Sequence, residues 1–193
     1  MDSNYHIGES EINQEQVWVE NAKKSPEKFD RLYDKYFEEI FNFIYRRTDD
    51  EAAAGDLTSQ TFLAALQNLK KYEFRGVPFS AWLYRIAANQ VNQYYRKSKK
   101  NVVFSLEESM VGKLLHEADA SDDDDEKVTL LIGFLAALPT DDMTVLELRF
   151  FEEKNFKEIA YILSLTESGA KMRTYRAIEK LKKLFISKGK MID

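Results

Sequence analysis

The chain has 193 residues, of which 44% are hydrophobic, 13% aromatic and 32% charged, with a formal net charge of −5. Its composition excludes a membrane-spanning helix, because no apolar run approaches the roughly 18 residues that one needs. It also excludes disulfide and thiol chemistry, because cysteine is absent, and we expect no metal site or other cofactor, because His6 and His116 lie far apart.

Residues 1–13 are predicted to form a polar tail. The start, MDSNYHIGESEINQEQ, has neither the basic region nor the apolar stretch of a signal peptide, so we expect a cytoplasmic protein. Only seven glycines and three prolines accompany many Leu, Ala, Glu and Lys residues, which favours helices over strands. We therefore expect an all-α protein whose first, short helix spans about Gln14 to Lys23.

The next helix is predicted to begin at Ser25-Pro26, with the serine as the capping residue and the proline at the first helical position. It carries the clearest apolar stripe of the chain, with steps of three and one. Its members are Phe29, Leu32, Tyr33, Tyr36, Phe37, Ile40, Phe41 and Ile44.

Asp49 or Asp50 is positioned to cap a third helix that ends near Tyr72. The apolar positions of this helix are Ala53, Leu57, Phe62, Leu63, Leu66 and Leu69. A break at Gly76-Val77-Pro78 then predicts the start of a fourth helix.

The fourth helix has two faces of different chemistry. The face predicted to pack in the core holds Phe79, Trp82, Leu83, Ile86, Ala87, Gln90 and Tyr94. The opposite face holds Ala81, Tyr84, Arg85, Ala88, Asn92, Tyr95 and Arg96 and continues into Lys97, Lys99 and Lys100. Aromatic rings beside cations suit single-stranded or melted nucleic acid, since bases stack on rings while cations follow the backbone. We therefore expect Tyr84 and Tyr95 to be functional and Trp82 and Tyr94 to be packing residues.

Charge divides the chain into segments. Residues 75–100 hold six basic residues and no acid, residues 101–126 hold nine acids and one lysine, and residues 169–190 hold eight basic residues and one acid. The middle segment has no sustained hydrophobic period, so residues 99–127 are predicted to be a flexible acidic linker. The first domain would then span residues 14–98.

A second helical domain is predicted over residues 128–187, followed by a basic tail at 188–193. Val128 to Leu138 forms one helix, Thr140 caps another through Phe151, Asn155 caps Phe156 to Leu163, and Thr166 caps a helix to about Ile186. In the last helix, the inward residues are Ala170, Thr174, Ala177, Ile178, Leu181 and Phe185. The last two helices have the form of a helix-turn-helix, whose second helix enters the major groove of DNA.

The exposed arc of this last helix comprises Ser168, Met172, Tyr175, Arg176, Glu179 and Lys183, flanked by Lys171 and Arg173. Arginine suits guanine edges, whereas lysine suits phosphate. A terminal helix with a merely solvated basic face is an equally good interpretation of this arc alone. The chain has no glycine loop for phosphate, no nucleophile system and no paired carboxylates on a known scaffold, so we expect a protein that is not an enzyme.

Three stretches of the chain resemble the sigma-70 superfamily of RNA polymerase sigma factors, specifically its extracytoplasmic-function (ECF) group. Residues 56–65, DLTSQTFLAA, resemble the helix that binds core polymerase, and residues 74–87, FRGVPFSAWLYRIA, resemble the promoter-melting segment. Ala137-Leu138-Pro139, then residues 146–151, Glu158-Ile159-Ala160 and Arg176-Ala177 follow the fourth sigma region. The order and separation of these motifs are what make the resemblance specific.

The resemblance implies a fold, partners and roles. The fold would be all-α, with a region 2 helical bundle and a region 4 helix-turn-helix, and the partners would be core RNA polymerase, promoter DNA and, as is common in the group, an anti-sigma factor. The implied polymerase-binding residues are Asp56, Leu57, Gln60, Thr61 and Phe62. Those implied for the minus-ten element are Tyr72, Phe74, Arg75, Tyr84, Arg85, Asn89, Asn92, Tyr95, Arg96 and Lys97. Those implied for the minus-thirty-five element are Ser168, Lys171, Met172, Arg173, Tyr175 and Arg176.

The chain departs from the family pattern at four positions. Ser164 stands where a glycine is common at the turn, Gly169 and Ala170 replace threonine and valine, and Gln93 replaces a frequent aspartate. Two rival hypotheses remain open on the residues: a stand-alone helix-turn-helix regulator whose residues 14–98 sense a ligand or dimerise, and a purely structural helical adaptor.

Overall fold

The structure is a computed structural model that describes residues 9–98, 133, 135 and 138–189. The chain divides into two compact units. Among the described residues, the first unit contains four α-helices, and the second contains two α-helices and the greater part of a third. No strand occurs among the described residues, so the prediction of an all-α protein is confirmed.

The helices of the first unit are α1 (Glu9–Lys24), α2 (Asp30–Thr48), α3 (Glu51–Asn68) and α4 (Phe79–Ser98). A 3₁₀ turn, Pro26–Phe29, precedes α2, and another, Leu69–Lys71, follows α3. Helix α1 begins at Glu9, so the prediction of a tail through residue 13 is wrong at its last five positions.

The core of the first unit lies among α2, α3 and α4, each of which packs against the other two. It consists of large side chains that are buried nearly completely, among them Leu32, Tyr36, Ile40, Phe43, Ile44, Leu57, Phe62 and Leu83. Removing one such side chain from water stabilises the fold by about 1.5–3 kcal/mol. The packing of the three helices therefore makes a large contribution to the stability of this unit.

The apolar stripe predicted for α2 is correct at its centre and wrong at one edge. Leu32, Tyr36, Ile40 and Ile44 are buried as expected, but Tyr33 is 38% exposed. Phe43 is buried instead. The rings on the outer edge of the stripe contact each other along the helix, with centroids 5.2 Å apart from Tyr33 to Phe37 and 6.0 Å apart from Phe37 to Phe41.

The capping predictions differ in outcome. The Asp50 carboxylate accepts a hydrogen bond from the N–H of Ala53 at 3.0 Å and caps α3 as expected. Ser25 makes no capping hydrogen bond, because its hydroxyl donates to the Glu27 carboxylate. The chain therefore enters α2 through the 3₁₀ turn that Pro26 begins, without a side-chain cap.

The helices of the second unit are α5 (Thr140–Leu146), α6 (Phe156–Leu163) and α7 (Glu167–Gly189). A π-helical turn, Glu147–Phe151, extends α5. The residue that caps α5 is Pro139, which has no side-chain acceptor, so the prediction of a Thr140 cap is wrong. The predicted linker 99–127 lies outside the described residues, as does most of the predicted helix Val128 to Leu138.

Two side-chain caps begin the last two helices, as predicted. The side-chain oxygen Oδ1 of Asn155 accepts from the N–H of Glu158, and the Glu158 carboxylate accepts from the N–H of Asn155, both at 2.9 Å. This reciprocal pair is a capping box. The Thr166 hydroxyl accepts from the N–H of Gly169 at 3.0 Å at the start of α7. These caps set where the two helices of the helix-turn-helix begin.

The inward face of α7 agrees with the sequence. Ala170, Thr174, Ala177, Ile178 and Leu181 are buried, while the side chain of Phe185 lies outside the described residues. Between α6 and α7, Ser164 has a φ of 57°, in the left-handed region that favours glycine. A residue with a side chain therefore occupies the turn in a strained conformation, as the departure from the family pattern implied.

Candidate nucleic-acid interfaces

Two aromatic residues expected on the nucleic-acid face of α4 are buried. Tyr84 is fully buried and meets the ring of Phe43 edge-on, with centroids 4.8 Å apart. Tyr95 is 6% exposed, and its hydroxyl donates to the carbonyl oxygen of Arg47 at 2.7 Å. The expectation that these rings face nucleic acid is therefore wrong, because they fasten α4 to α2.

The reason lies in the rotation of α4 about its axis. Its buried side includes Ala81, Tyr84, Ala88, Val91 and Tyr95. These positions recur at three to four residues and therefore lie on one face of a helix. Of the face predicted to pack in the core, Phe79, Leu83 and Ala87 are buried as expected. Trp82 and Tyr94 are only partly buried. Both faces of α4 carry enough apolar residues to pack, so periodicity alone did not distinguish between them.

The exposed side of α4 is polar and basic. Arg85, Asn89, Asn92, Arg96 and Lys97 are all exposed, as a contact surface for DNA requires. The helix contains no Asp or Glu, so no acid of α4 itself neutralises these cations. The arrangement provides cations for a phosphate backbone and amides for base edges. We call these five residues the α4 polar face.

The loop from Tyr72 to Pro78, which leads into α4, adds one exposed ring and one exposed cation. Phe74 is 43% exposed, and the guanidinium of Arg75 pairs with the Glu73 carboxylate at 2.6 Å. Tyr72 is only 8% exposed, and its ring lies 5.2 Å from that of Phe79 and 4.9 Å from that of Trp82. Tyr72 therefore packs the loop onto α4, and Phe74 is the ring available for stacking on a base.

The residues expected to bind polymerase on α3 divide in the same way. Asp56 and Gln60 are exposed, whereas Leu57, Thr61 and Phe62 are buried in the first unit. The hydroxyl of Thr61 donates to the carbonyl oxygen of Leu57 at 2.8 Å within the helix. Only Asp56 and Gln60 of the five are therefore available to a partner.

One exposed residue of α3 was not singled out from the sequence. Leu63, which was expected on the apolar side of the helix, is 54% exposed. It follows Gln60 by three residues and Asp56 by seven, so all three lie on one face of α3. That spacing was the signal that could have identified it. We call Asp56, Gln60 and Leu63 the α3 outer face.

The recognition-helix candidates on α7 lie where the sequence predicted. Ser168, Lys171, Met172, Tyr175 and Arg176 are exposed, with Met172 and Tyr175 each 50% exposed. Arg173 is half-buried, and its guanidinium lies 3.5 Å from the Asp141 carboxylate of α5. The first turns of α7 therefore present a mixed basic and apolar surface, with Arg173 held at its side by an acid.

A neighbouring ion pair ties α7 to α5. The ammonium of Lys180 donates to the carboxylate of Asp142, which is largely buried. Lys180 is therefore engaged within the fold of this unit. Together, the Lys180–Asp142 and Arg173–Asp141 pairs hold α7 against α5.

Two titratable groups of the first unit that the fold perturbs, Tyr36 and Lys35, lie beside the buried carboxylate of Glu15. Burial raises the pKa of the Tyr36 hydroxyl, and the adjacent carboxylate of Glu15 raises it further. Burial lowers the pKa of Lys35, but hydrogen bonds to Glu11 and Glu15 outweigh this effect and raise it overall. These shifts indicate a structural ion-pair cluster.

Within the part of the chain that the structure describes, no three His, Cys, Asp or Glu side chains are placed to hold a metal ion. Nor does any helix of the described ranges have the length and apolar character needed to cross a membrane.

Comparison with known proteins gives matches along most of the chain. The Sigma-70 region 2 family matches residues 32–101, and the Sigma-70, region 4 family matches residues 134–183. The chain is 30% identical to the ECF RNA polymerase sigma factor SigM of Bacillus subtilis, over 81% of this chain and 94% of that protein. It is 32% identical to the ECF RNA polymerase sigma factor BldN of Streptomyces coelicolor, over 86% of this chain and 64% of that protein.

A solved structure shares the fold. CnrH, in complex with the cytosolic domain of CnrY, superposes with a TM-score of 0.62 and 20% sequence identity. The match covers 90% of this chain and 97% of that one.

Proposed function

Because the chain belongs to the ECF group of the sigma-70 family of RNA polymerase sigma factors, we propose that it is a transcription initiation factor. It binds core RNA polymerase and directs promoter recognition and melting. The observation that carries this proposal is that both sigma regions match in one chain and in the family's order. The polymerase performs the nucleotidyl transfer, and this chain supplies specificity.

In this proposal the first unit reads the minus-ten element. The α4 polar face supplies cations for the melted strand and amides for its bases, and Phe74 supplies a ring for stacking, which is worth about 1–3 kcal/mol per base. Arg75 adds a cation once it leaves Glu73. Tyr72, Tyr84 and Tyr95 hold this surface in place from within.

The α3 outer face is the proposed contact with core polymerase. Asp56 offers a charge and Gln60 an amide, and Leu63 offers apolar area that is exposed in the free chain. An apolar side chain beside polar groups is the usual composition of a protein interface. Leu57, Thr61 and Phe62 support this face from the core of the unit.

The second unit is proposed to read the minus-thirty-five element as duplex DNA. The first turns of α7 enter the major groove, where Arg176 and Arg173 reach guanine edges and Lys171 pairs with phosphate. Ser168, Met172 and Tyr175 complete the contact. Region 2 function is proposed for residues 14–98 and region 4 function for residues 128–187, with the acidic segment 99–127 between them in sequence.

An anti-sigma protein is a further partner in this proposal. CnrH is described in complex with the cytosolic domain of CnrY, and this chain offers an exposed apolar residue at Leu63. An anti-sigma protein bound to the chain in the absence of polymerase would cover this side chain and keep it from water.

The test is reconstitution with the core RNA polymerase of Bacillus subtilis, the organism of the SigM relative. We expect a stable complex at micromolar protein and transcription from promoters that this holoenzyme selects from random duplexes. The rival helix-turn-helix regulator would instead bind duplex DNA tightly without polymerase. Failure to form a polymerase complex would refute the proposal.

A further inference from the structure

Helix α1 carries a buried carboxylate that joins three helices. Glu15 is 2% exposed. One of its oxygens accepts hydrogen bonds from the ammonium of Lys35, at 2.7 Å, and from the hydroxyl of Tyr36, both on α2. The other accepts from the backbone N–H of Phe79 at 3.0 Å. Both oxygens are therefore used in contacts with α2 and α4.

The contact with Phe79 acts at the start of α4. Phe79 is the first residue of that helix, and the first N–H groups of a helix have no acceptor within it. The preceding residue, Pro78, has no side-chain acceptor. Glu15 therefore caps α4 from another helix, and its negative charge lies at the positive end of the helix dipole.

The same part of α1 packs on the loop that leads into α4. Glu15, Ile12 and Val19 of α1 line one side of a cavity of about 10 Å³, and Tyr72, Phe74, Val77 and Phe79 line the other. A cavity of this volume is at the lower limit for one water molecule. Helix α1 therefore packs closely against the loop.

The charge of Glu15 is balanced within the unit. Lys35 lies between Glu15 and Glu11, with its ammonium 2.7 Å from the first carboxylate and 2.8 Å from the second. Glu11 also accepts a hydrogen bond from Lys35, but its side chain is 51% exposed whereas that of Glu15 is buried. Two glutamates of α1 therefore share the ammonium of Lys35, and Glu15 also accepts a hydrogen bond from α4.

We infer that Glu15 is a positioning residue for promoter opening. It fixes the first turn of α4 and the adjoining loop, so that Phe74 and the α4 polar face are preorganised to receive the melted strand. The inference rests on the proposed function. Helix α1 lies before the region 2 match, which begins at residue 32, so the family match does not assign this role.

The experiment compares E15Q with the matched control E11Q in holoenzyme with Bacillus subtilis core polymerase. A glutamine at position 15 can present its single oxygen to Phe79 or to the α2 donors, but not to both. Each variant is tested on a promoter selected by the wild-type holoenzyme, once as duplex and once with the minus-ten region already unpaired. Open-complex formation is followed by permanganate reactivity of unpaired thymines.

We expect E15Q to open the duplex promoter about tenfold more slowly, the effect of losing a helix cap. On the unpaired template it should stay within about twofold of wild type, because the opening step is bypassed. E11Q should match wild type on both templates. Core-polymerase affinity and circular dichroism report whether each variant is folded.

Three results would overturn the inference: equal loss on both templates, no loss on either, or loss of polymerase binding by E15Q, which would make Glu15 a residue of the core alone. Failure of the proposed function is distinguishable, because the wild-type chain itself would then form no active holoenzyme.

Discussion

Tyr95 illustrates how one hydroxyl changes the interpretation of a residue. Its ring is buried, and its hydroxyl satisfies the carbonyl oxygen of Arg47, which lies in the last turn of α2. The last carbonyl oxygens of a helix have no N–H donor within the helix, so a donor from another element stabilises its end. The aromatic residue beside a basic cluster thus serves packing here, while its neighbour Arg96 is exposed.

We predict that Tyr95→Phe lowers the free energy of unfolding of the first unit by about 1 kcal/mol, the usual worth of a buried hydrogen bond. Promoter affinity of the holoenzyme should be unchanged. Arg96→Ala should do the opposite, weakening promoter binding without changing stability. Both tryptophans, Trp18 and Trp82, lie in the first unit, so urea unfolding followed by their fluorescence measures the stability. A promoter defect in Tyr95→Phe at unchanged stability would contradict the packing role.

We predict that Ser164→Gly stabilises the helix-turn-helix by about 0.5–1 kcal/mol. Relief of the left-handed strain at φ 57° outweighs the entropy that glycine adds to the unfolded chain. Ser168→Gly is the control, since Ser168 is helical and the same change should destabilise by about 0.5 kcal/mol. Hydrogen exchange of the α6 and α7 amides under increasing denaturant measures both. Destabilisation by Ser164→Gly would show that the Ser164 side chain contributes more than its strain costs.

At the scale of the element, α3 has one face that packs in the core and another that is available to a partner. Its inner face packs Leu57 and Phe62 into the core, and its outer face presents Asp56, Gln60 and Leu63. A variant that changes Leu57 alters packing and surface together. The outer face therefore has to be tested with exposed residues alone.

We predict that the double replacement of Asp56 and Gln60 by alanine weakens core-polymerase binding about tenfold or more, since it removes a charge and an amide from one proposed contact. Both side chains are exposed, so the thermal midpoint should stay within about 2 °C of wild type. Glu51 and Asn68, an acid and an amide exposed on other sides of the same helix, form the matched control pair. Binding is measured by fluorescence anisotropy of the labelled chain. Equal weakening by both pairs would contradict a localised contact.

On helix α7 the buried face could be predicted from the sequence, whereas the steric constraint at Gly169 could not. Its buried and exposed residues follow the helical period, and Thr166 caps its start. A side chain at position 169 would bring its Cβ within 2.9 Å of the capping hydroxyl of Thr166. The glycine that departs from the family pattern therefore leaves room for the cap.

At the scale of the whole molecule, charge is the main organising feature. A net charge of −5 opposes non-specific binding of the chain to DNA. The basic residues are nevertheless concentrated in two segments. Promoter binding by the holoenzyme should therefore depend on a few local cations and on salt.

We predict that replacing Arg96 and Lys97 by glutamine makes the salt dependence of binding less steep. The negative slope of log binding constant against log salt concentration should shrink in magnitude by about 0.7–0.9 per residue, because each phosphate contact releases counterions. Lys28 and Arg31, exposed near the start of α2, are the control pair and should leave the slope unchanged. Holoenzyme affinity for the selected promoter, measured from 50 to 300 mM KCl, provides the slopes. An unchanged slope in the Arg96 and Lys97 variant would remove these residues from the proposed phosphate contacts.

The order and separation of the motifs along the sequence determined the family. The sequence by itself also determined the helical class, the caps at Asn155 and Thr166 and both faces of the start of α7, and it narrowed the cap of α3 to Asp49 or Asp50. These features depend on neighbours within a few residues, through helical period and short-range hydrogen bonds. Local physical chemistry is therefore sufficient to predict them.

Only the tertiary structure decided which side of α4 is buried, which residues of α3 are available to a partner, and that Glu15 reaches Phe79. Helix α4 has apolar residues on two sides, and the choice between them follows from how they fit α2 and α3. Glu15 and Phe79 are 64 residues apart, so no periodic pattern links them. Contacts between distant segments form only when the helices pack, and packing is a property of the whole unit.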